Sequence, residues 1–86
     1  MADALRVSVI SPERVLFEGT AETVVAPAHD GEVGILAGHA PLMTLLGKGV
    51  LRVAAGAGEQ RFAVESGFLQ VVDDQIRVVT EQAASL

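Results

Sequence analysis

The chain reads as an all-β domain, an antiparallel sandwich or flattened barrel of about ten short strands. Three observations predict this. Valine-rich runs alternate apolar and polar residues with a period of two, as in 5–9, where Leu5, Val7 and Val9 flank Arg6 and Ser8. Gly, Pro, Asp and Ser interrupt these runs at close spacing, and no stretch before Thr80 carries a helical period.

The elements follow in order. After the first run, "SPER" at 11–14 offers a turn in which Pro12 supplies a fixed φ. "VLFEG" follows, and Gly19 leads into a strand over 20–28, where Thr23, Val24 and Val25 favour extended backbone. Pro27, near its end, points to an edge or a bulge. Short runs at 33–36, 42–46 and 50–54 come next. "GKGV" at 47–50 reads as a turn tipped by Lys48, with glycine allowing positive φ. "AAGAGEQ" at 54–60 reads as a hairpin loop. The run 61–65 alternates, with Phe62 and Val64 on one face, and Ser66 turns the chain into a strand over 68–72. Asp73 and Asp74 form a two-residue, solvated hairpin turn before the last run, 75–80. "TEQAASL" has helix-forming residues but falls short of the ~12 an isolated helix needs.

Size and charge narrow the function. The 86 residues suffice for one domain, 1–86, and half of them are hydrophobic, which supplies a core without staples. Cysteine is absent, so disulfides and thiolate metal sites are excluded. Eleven acidic and six basic residues, thinly spread, leave a net charge of −5, the wrong balance for a nucleic-acid footprint. "MADALRVSVI" lacks the basic region and apolar run of a signal peptide, and nothing approaches the ~18 apolar residues of a membrane-spanning helix. A soluble, cytoplasmic protein without direct membrane insertion is expected.

Motifs for chemistry are sparse. Ser66-Gly67 lacks the first glycine of a nucleophile elbow, since Val64 stands there. Lys48 between Gly47 and Gly49 lacks the phosphate-loop frame. No catalytic residue, cofactor or metal site is assigned. His29, Asp30, Glu32 and His39 are the one local cluster of potential ligands, and they define a competing reading, a free-standing ligand- or metal-binding β module. The segment "GEVGILAGHAPL" at 31–42 is the richest in the chain. Gly31, Gly34 and Gly38 relieve strain or admit another backbone, and Pro41 keeps Ala40 extended. Its residue types leave two readings open: a tight corner with a structural histidine, or a partner-docking loop.

This segment carries a resemblance. Ser11, Glu13, Phe17 and Gly19, then Gly31-Glu32-x-Gly34-Ile35 and Gly38-His39-Ala40-Pro41-Leu42, resemble the start of the ε subunits of F-type ATP synthases. "KGVLRV" at 48–53, "SGFLQV" at 66–71 and "IRVVTEQA" at 76–83 continue it over nearly the whole chain. The resemblance implies the family's N-terminal β sandwich, a non-catalytic rotor part of the central stalk that couples ion translocation to ATP synthesis. By position, His39, Ala40, Pro41 and Leu42 match the segment facing the γ subunit. Gly31 and Glu32 match the loop set against the polar loops of the c ring, where an acidic side chain suits basic partners.

Departures are Ala37 for a common proline, Gly47-Lys48-Gly49 for Lys-Pro-Gly, and Ser66-Gly67 for Gly-Gly. Set against the family, the chain stops at Leu86 where the C-terminal helical hairpin would begin, either as a naturally short form or as the N-terminal domain of a longer chain, and no nucleotide binding is expected without that hairpin. The implied place is the bacterial cytoplasm, peripheral on the inner membrane's cytoplasmic face as part of the complex.

Overall fold

A computed structural model describes residues 4–56 and 58–86. Met1, Ala2 and Asp3, within the stretch read above for a leader, and Ala57, within the expected hairpin loop at 54–60, lie outside the described residues. The strands are β1 (Leu5–Ile10), β2 (Val15–Ala21), β3 (Thr23–Ala28), β4 (Gly31–Leu36), β5 (Leu42–Leu45), β6 (Gly49–Ala55), β7 (Gly58–Val72) and β8 (Gln75–Ser85).

They form one open sheet ordered β2-β1-β8-β7-β6-β3-β4, with β5 attached to β7. The sheet folds over itself because β7 and β8 are long and serve both layers. The second half of β7 pairs with β5 and with the first half of β8, which also pairs with β1. The first half of β7 pairs with β6 and with the end of β8. One layer is therefore β2-β1-β8-β7-β5 and the other is β8-β7-β6-β3-β4. Counting the two shared strands once in each layer gives ten segments, the expected sandwich, from eight continuous strands. The sandwich is not a closed barrel, since β2 and β4 end the sheet.

The core lies between the layers. Leu5, Val7 and Val9 of β1 are buried, as the alternation predicts, and meet Leu69, Val71, Ile76 and Val78 from the same layer. The opposite layer contributes Val24, Ile35, Leu51, Val53, Phe62 and Val64. Phe17 of β2 meets Phe62 of β7 edge-on, with ring centroids 6.3 Å apart and planes at 60°, and joins the two layers.

Several expectations change in detail. The 20–28 run divides at Glu22 into β2 and β3, one in each layer. The pairing of β1 with β8 is parallel, the exception among otherwise antiparallel ladders. These strands come from opposite ends of the chain, so no hairpin dictates their direction. Pro27 lies within an inner strand. It is tolerated because the β3–β6 ladder ends at Val25↔Arg52, beyond which Gly47 N–H donates to the Pro27 carbonyl at 2.7 Å. The glycines around Lys48 serve close approach rather than positive φ: a Cβ on Gly49 would lie 2.8 Å from Pro27 Cβ. Residues 80–85 continue β8 as strand, because 62–65 offer them a ladder.

Ser66 does not end a strand. It sits at a bend inside β7, with φ of +66° followed by +123° at Gly67. The ladder to β8 skips Ser66 here, passing from Glu65↔Gln82 to Gly67↔Thr80. Thr80, fully buried, spans this step: its Oγ1 lies 3.2 Å from the Glu65 carbonyl oxygen and 2.9 Å from that of Gln82. Thr80→Val keeps the shape and removes the hydroxyl that these two carbonyls share. Urea unfolding should show a loss of about 1–2 kcal/mol, the cost of buried carbonyls left short of a donor.

Candidate functional site

The 37–41 connection carries the chain from β4 in one layer to β5 in the other. His39 N–H donates to the Leu36 carbonyl at 3.2 Å, closing a four-residue turn. Gly38 holds its third place with φ of +86°, the type II value that requires glycine. His39 is half-buried, and its Nδ1 lies 2.7 Å from the Ala40 carbonyl oxygen. A carbonyl oxygen only accepts, so Nδ1 carries the proton in this contact, and a neutral ring then keeps Nε2 as an acceptor. Ala40 and Pro41 are exposed, and Leu42, half-buried, starts β5 and packs against the core.

The connection is tied to the β7–β8 hairpin. Asp73 and Asp74 form its two-residue turn as expected, both with positive φ, +49° and +61°. Asp74 is not simply solvated: its Oδ1 accepts a hydrogen bond from Gly38 N–H at 2.7 Å. The loop thus lies at the hairpin end of the β2-β1-β8-β7-β5 layer.

That face has an ordered pattern. Leu45, Phe68, Val79, Ile10 and Val15 follow one another across the five strands as ladder partners and point away from the core. Met43, Gln70, Arg77, Ser8 and Glu18 form the next row. Leu45 and Met43 are each 63% exposed, Val15 is 55% and Val72 is 42%. An apolar row spanning a sheet on its solvent side marks an interaction surface rather than scattered surface residues.

Gly31 and Glu32 lie on the other side of β5. Both are exposed at the start of β4, and with Asp30 they border a shallow hollow whose other side is Leu42, Met43 and Thr44. The β3–β4 turn therefore lies along β5, with His29 N–H donating to the Leu45 carbonyl at 2.8 Å. His29, Asp30, Glu32 and His39 do not assemble: among the described residues, no three His, Cys, Asp or Glu side chains come together as a metal-holding group. The competing metal-module reading has no ligand set there.

Residues 4–85 match the family described as ATP synthase, Delta/Epsilon chain, beta-sandwich domain. The chain belongs to this family. Relatives agree with this ATP synthase delta/epsilon assignment. An ATP synthase epsilon chain from Leptospira borgpetersenii is 42% identical over 96% of this chain and 65% of its own length. One from Hyphomonas neptunium is 44% identical over 100% of this chain and 64% of its own. The chain thus spans somewhat less than two-thirds of these relatives. The fold also matches a chain in the Euglena gracilis mitochondrial ATP synthase OSCP/F1/c-ring structure, with a TM-score of 0.91 at 20% identity, covering 99% of this chain and 55% of that one. A chain of the Tetrahymena thermophila mitochondrial ATP synthase central stalk and c-ring matches with a TM-score of 0.76 at 13% identity, covering 93% and 65%.

Two features of this delta/epsilon domain escaped sequence reading. Asp74 looked like an ordinary turn residue, because its partner Gly38 lies 36 positions away. The apolar row had a signal, the adjacent apolar pairs Val78-Val79 and Phe68-Leu69, which give a strand two apolar faces. Deciding which face is inner needed the second layer.

Proposed function

We propose that this domain is a non-catalytic rotor element of an F-type ATP synthase, docked on the γ subunit and on the c ring. The observation that carries the reading is the apolar row of Leu45, Phe68, Val79, Ile10 and Val15 on the layer whose hairpin end holds the 38–41 loop. That surface suits γ: its apolar row gains by losing water, while the loop offers His39, Ala40 and Pro41 at one edge. Gly31 and Glu32 meet the polar loops of the c ring, where the exposed Glu32 carboxylate pairs with basic side chains. Two separate anchors make the domain a bridge that turns with both partners and carries torque from ion flow toward the catalytic head.

Its place is the cytoplasmic face of a bacterial inner membrane, held there by its partners. Among the described residues, no helix is long and apolar enough to cross a membrane.

Retention of the domain by immobilised γ subunit tests the reading. Leu45→Asp places a charge at the β5 end of the γ contact, and an anchor buried on binding is worth about 2 kcal/mol or more. Affinity should fall about thirtyfold. The melting temperature should stay near that of the parent, because Leu45 is exposed in the free domain. Replacing 39–42 by polar residues should weaken retention further. Unchanged binding in both variants would sink the assignment.

A further inference from the structure

We propose that Asp74 is a positioning residue that locks the 37–41 connection into its docking shape. The inference rests on the γ-docking reading above and names a residue that reading does not use.

The argument begins with the turn at 36–39. In a type II turn the carbonyl of the first residue accepts from the N–H of the fourth, here Leu36 and His39 at 3.2 Å. The N–H of the third residue, Gly38, points out of the turn and gets no partner from it. Types I and II differ by rotation of this central peptide, so an unheld Gly38 N–H leaves the 37–38 peptide free to flip. Asp74 Oδ1 takes that proton at 2.7 Å, a short bond to a charged acceptor.

Asp74 can hold the loop because it is itself held. Its carbonyl accepts from Arg6 N–H at 2.9 Å, and its φ of +61° places it second in the tight turn closing β7 and β8. The side chain starts from a fixed backbone. Few residues suit this position: left-handed backbone favours Gly, Asn and Asp, and of these only Asn and Asp carry an acceptor oxygen.

The geometry has a functional consequence. The β7–β8 hairpin carries Phe68 and Val79 of the apolar row, while the 37–41 connection carries His39, Ala40 and Pro41. The Asp74–Gly38 bond joins the two into one preformed surface, so that less ordering remains to be done on binding.

Two variants separate the acceptor from the turn. D74G keeps the left-handed turn, leaving an Asp-Gly pair that such turns favour, and deletes the acceptor. D74N keeps both. The readouts are amide exchange at Gly38 by NMR, affinity for γ and the melting temperature. D74G should exchange Gly38 about tenfold faster and bind γ about tenfold more weakly, with its melting temperature little changed. D74N should stay within about threefold of the parent in both, since a neutral acceptor holds less tightly than a charged one. D74G with parental affinity overturns the proposal, and so does D74N failing as badly as D74G. If the parent itself does not bind γ, the docking reading fails instead. Gly38 exchange then decides the lock alone, and unchanged protection in D74G overturns it.

Discussion

Gly67→Ala should cost about 4 kcal/mol of stability, at the upper end of single substitutions. A Cβ at this position would lie 1.9 Å from the Val79 carbonyl oxygen and 2.7 Å from Thr80 Cα. Both are backbone atoms of β8, held by ladder bonds to β7, so neither can move aside as a flexible side chain would. The φ of +123° adds strain for any residue with a side chain. For a domain of this size each kcal/mol is about 4–8 °C in melting temperature, so a drop of about 15–30 °C is expected. Circular dichroism melting checks this, and a shift below about 4 °C would mean that the bend relaxes. The consequence reaches the proposed docking surface. The bend at Ser66 and Gly67 is what lets β7 leave the layer of β6 and carry Phe68 into the apolar row beside β5. The Gly67 carbonyl also accepts from Leu46 N–H at 3.0 Å, which ties the end of β5 to the bend.

Phe62→Ala should cost about 4 kcal/mol. Phe62 is 1% exposed, lies on the inner face of the first half of β7 and meets Phe17 from the opposite layer. The chain has three phenylalanines and no tryptophan or tyrosine, so Phe17 is the one large ring in contact with the void, and it is held in the opposite layer. The surrounding valines are stiff at χ1 and fill it poorly. Urea unfolding measures the loss. Phe17→Leu, at a half-buried position, serves as the comparison and should cost clearly less. A loss below about 1 kcal/mol at Phe62 would mean that the layers close over the gap.

Individual strands were legible because burial imposes a period of two. Leu5, Val7 and Val9, and again Phe62 and Val64, are buried where their alternation predicts. The turn at Asp73 and Asp74 was legible because few residue types tolerate two successive left-handed conformations. Residues 82–85 carried no such mark. Their pattern is that of a weak helix, and a partner strand at 62–65 overrides it by offering a complete ladder. The glycines around Lys48 were legible as glycines but not in purpose, since Pro27 crowds Gly49 from another strand.

The candidate site divides in the same way. "GEVGILAGHAPL" stood out as a candidate segment, because three glycines, a histidine and a proline there fit no ordinary core strand. What surrounds it was invisible along the chain. The outward row from Leu45 to Val15 draws on five strands, and the Asp74 carboxylate reaches Gly38 across 36 residues.

Local sequence by itself determined the all-β class, most of the strands, the Asp73-Asp74 turn and the family, since each rests on neighbours in the chain. The tertiary structure alone decided that β7 and β8 bend to serve both layers, that β1 joins β8 in parallel, that an apolar row lies outward across five strands, and that Asp74 holds the 37–41 loop. These depend on register between distant strands, where each side chain's neighbours are set by the ladder rather than by the chain.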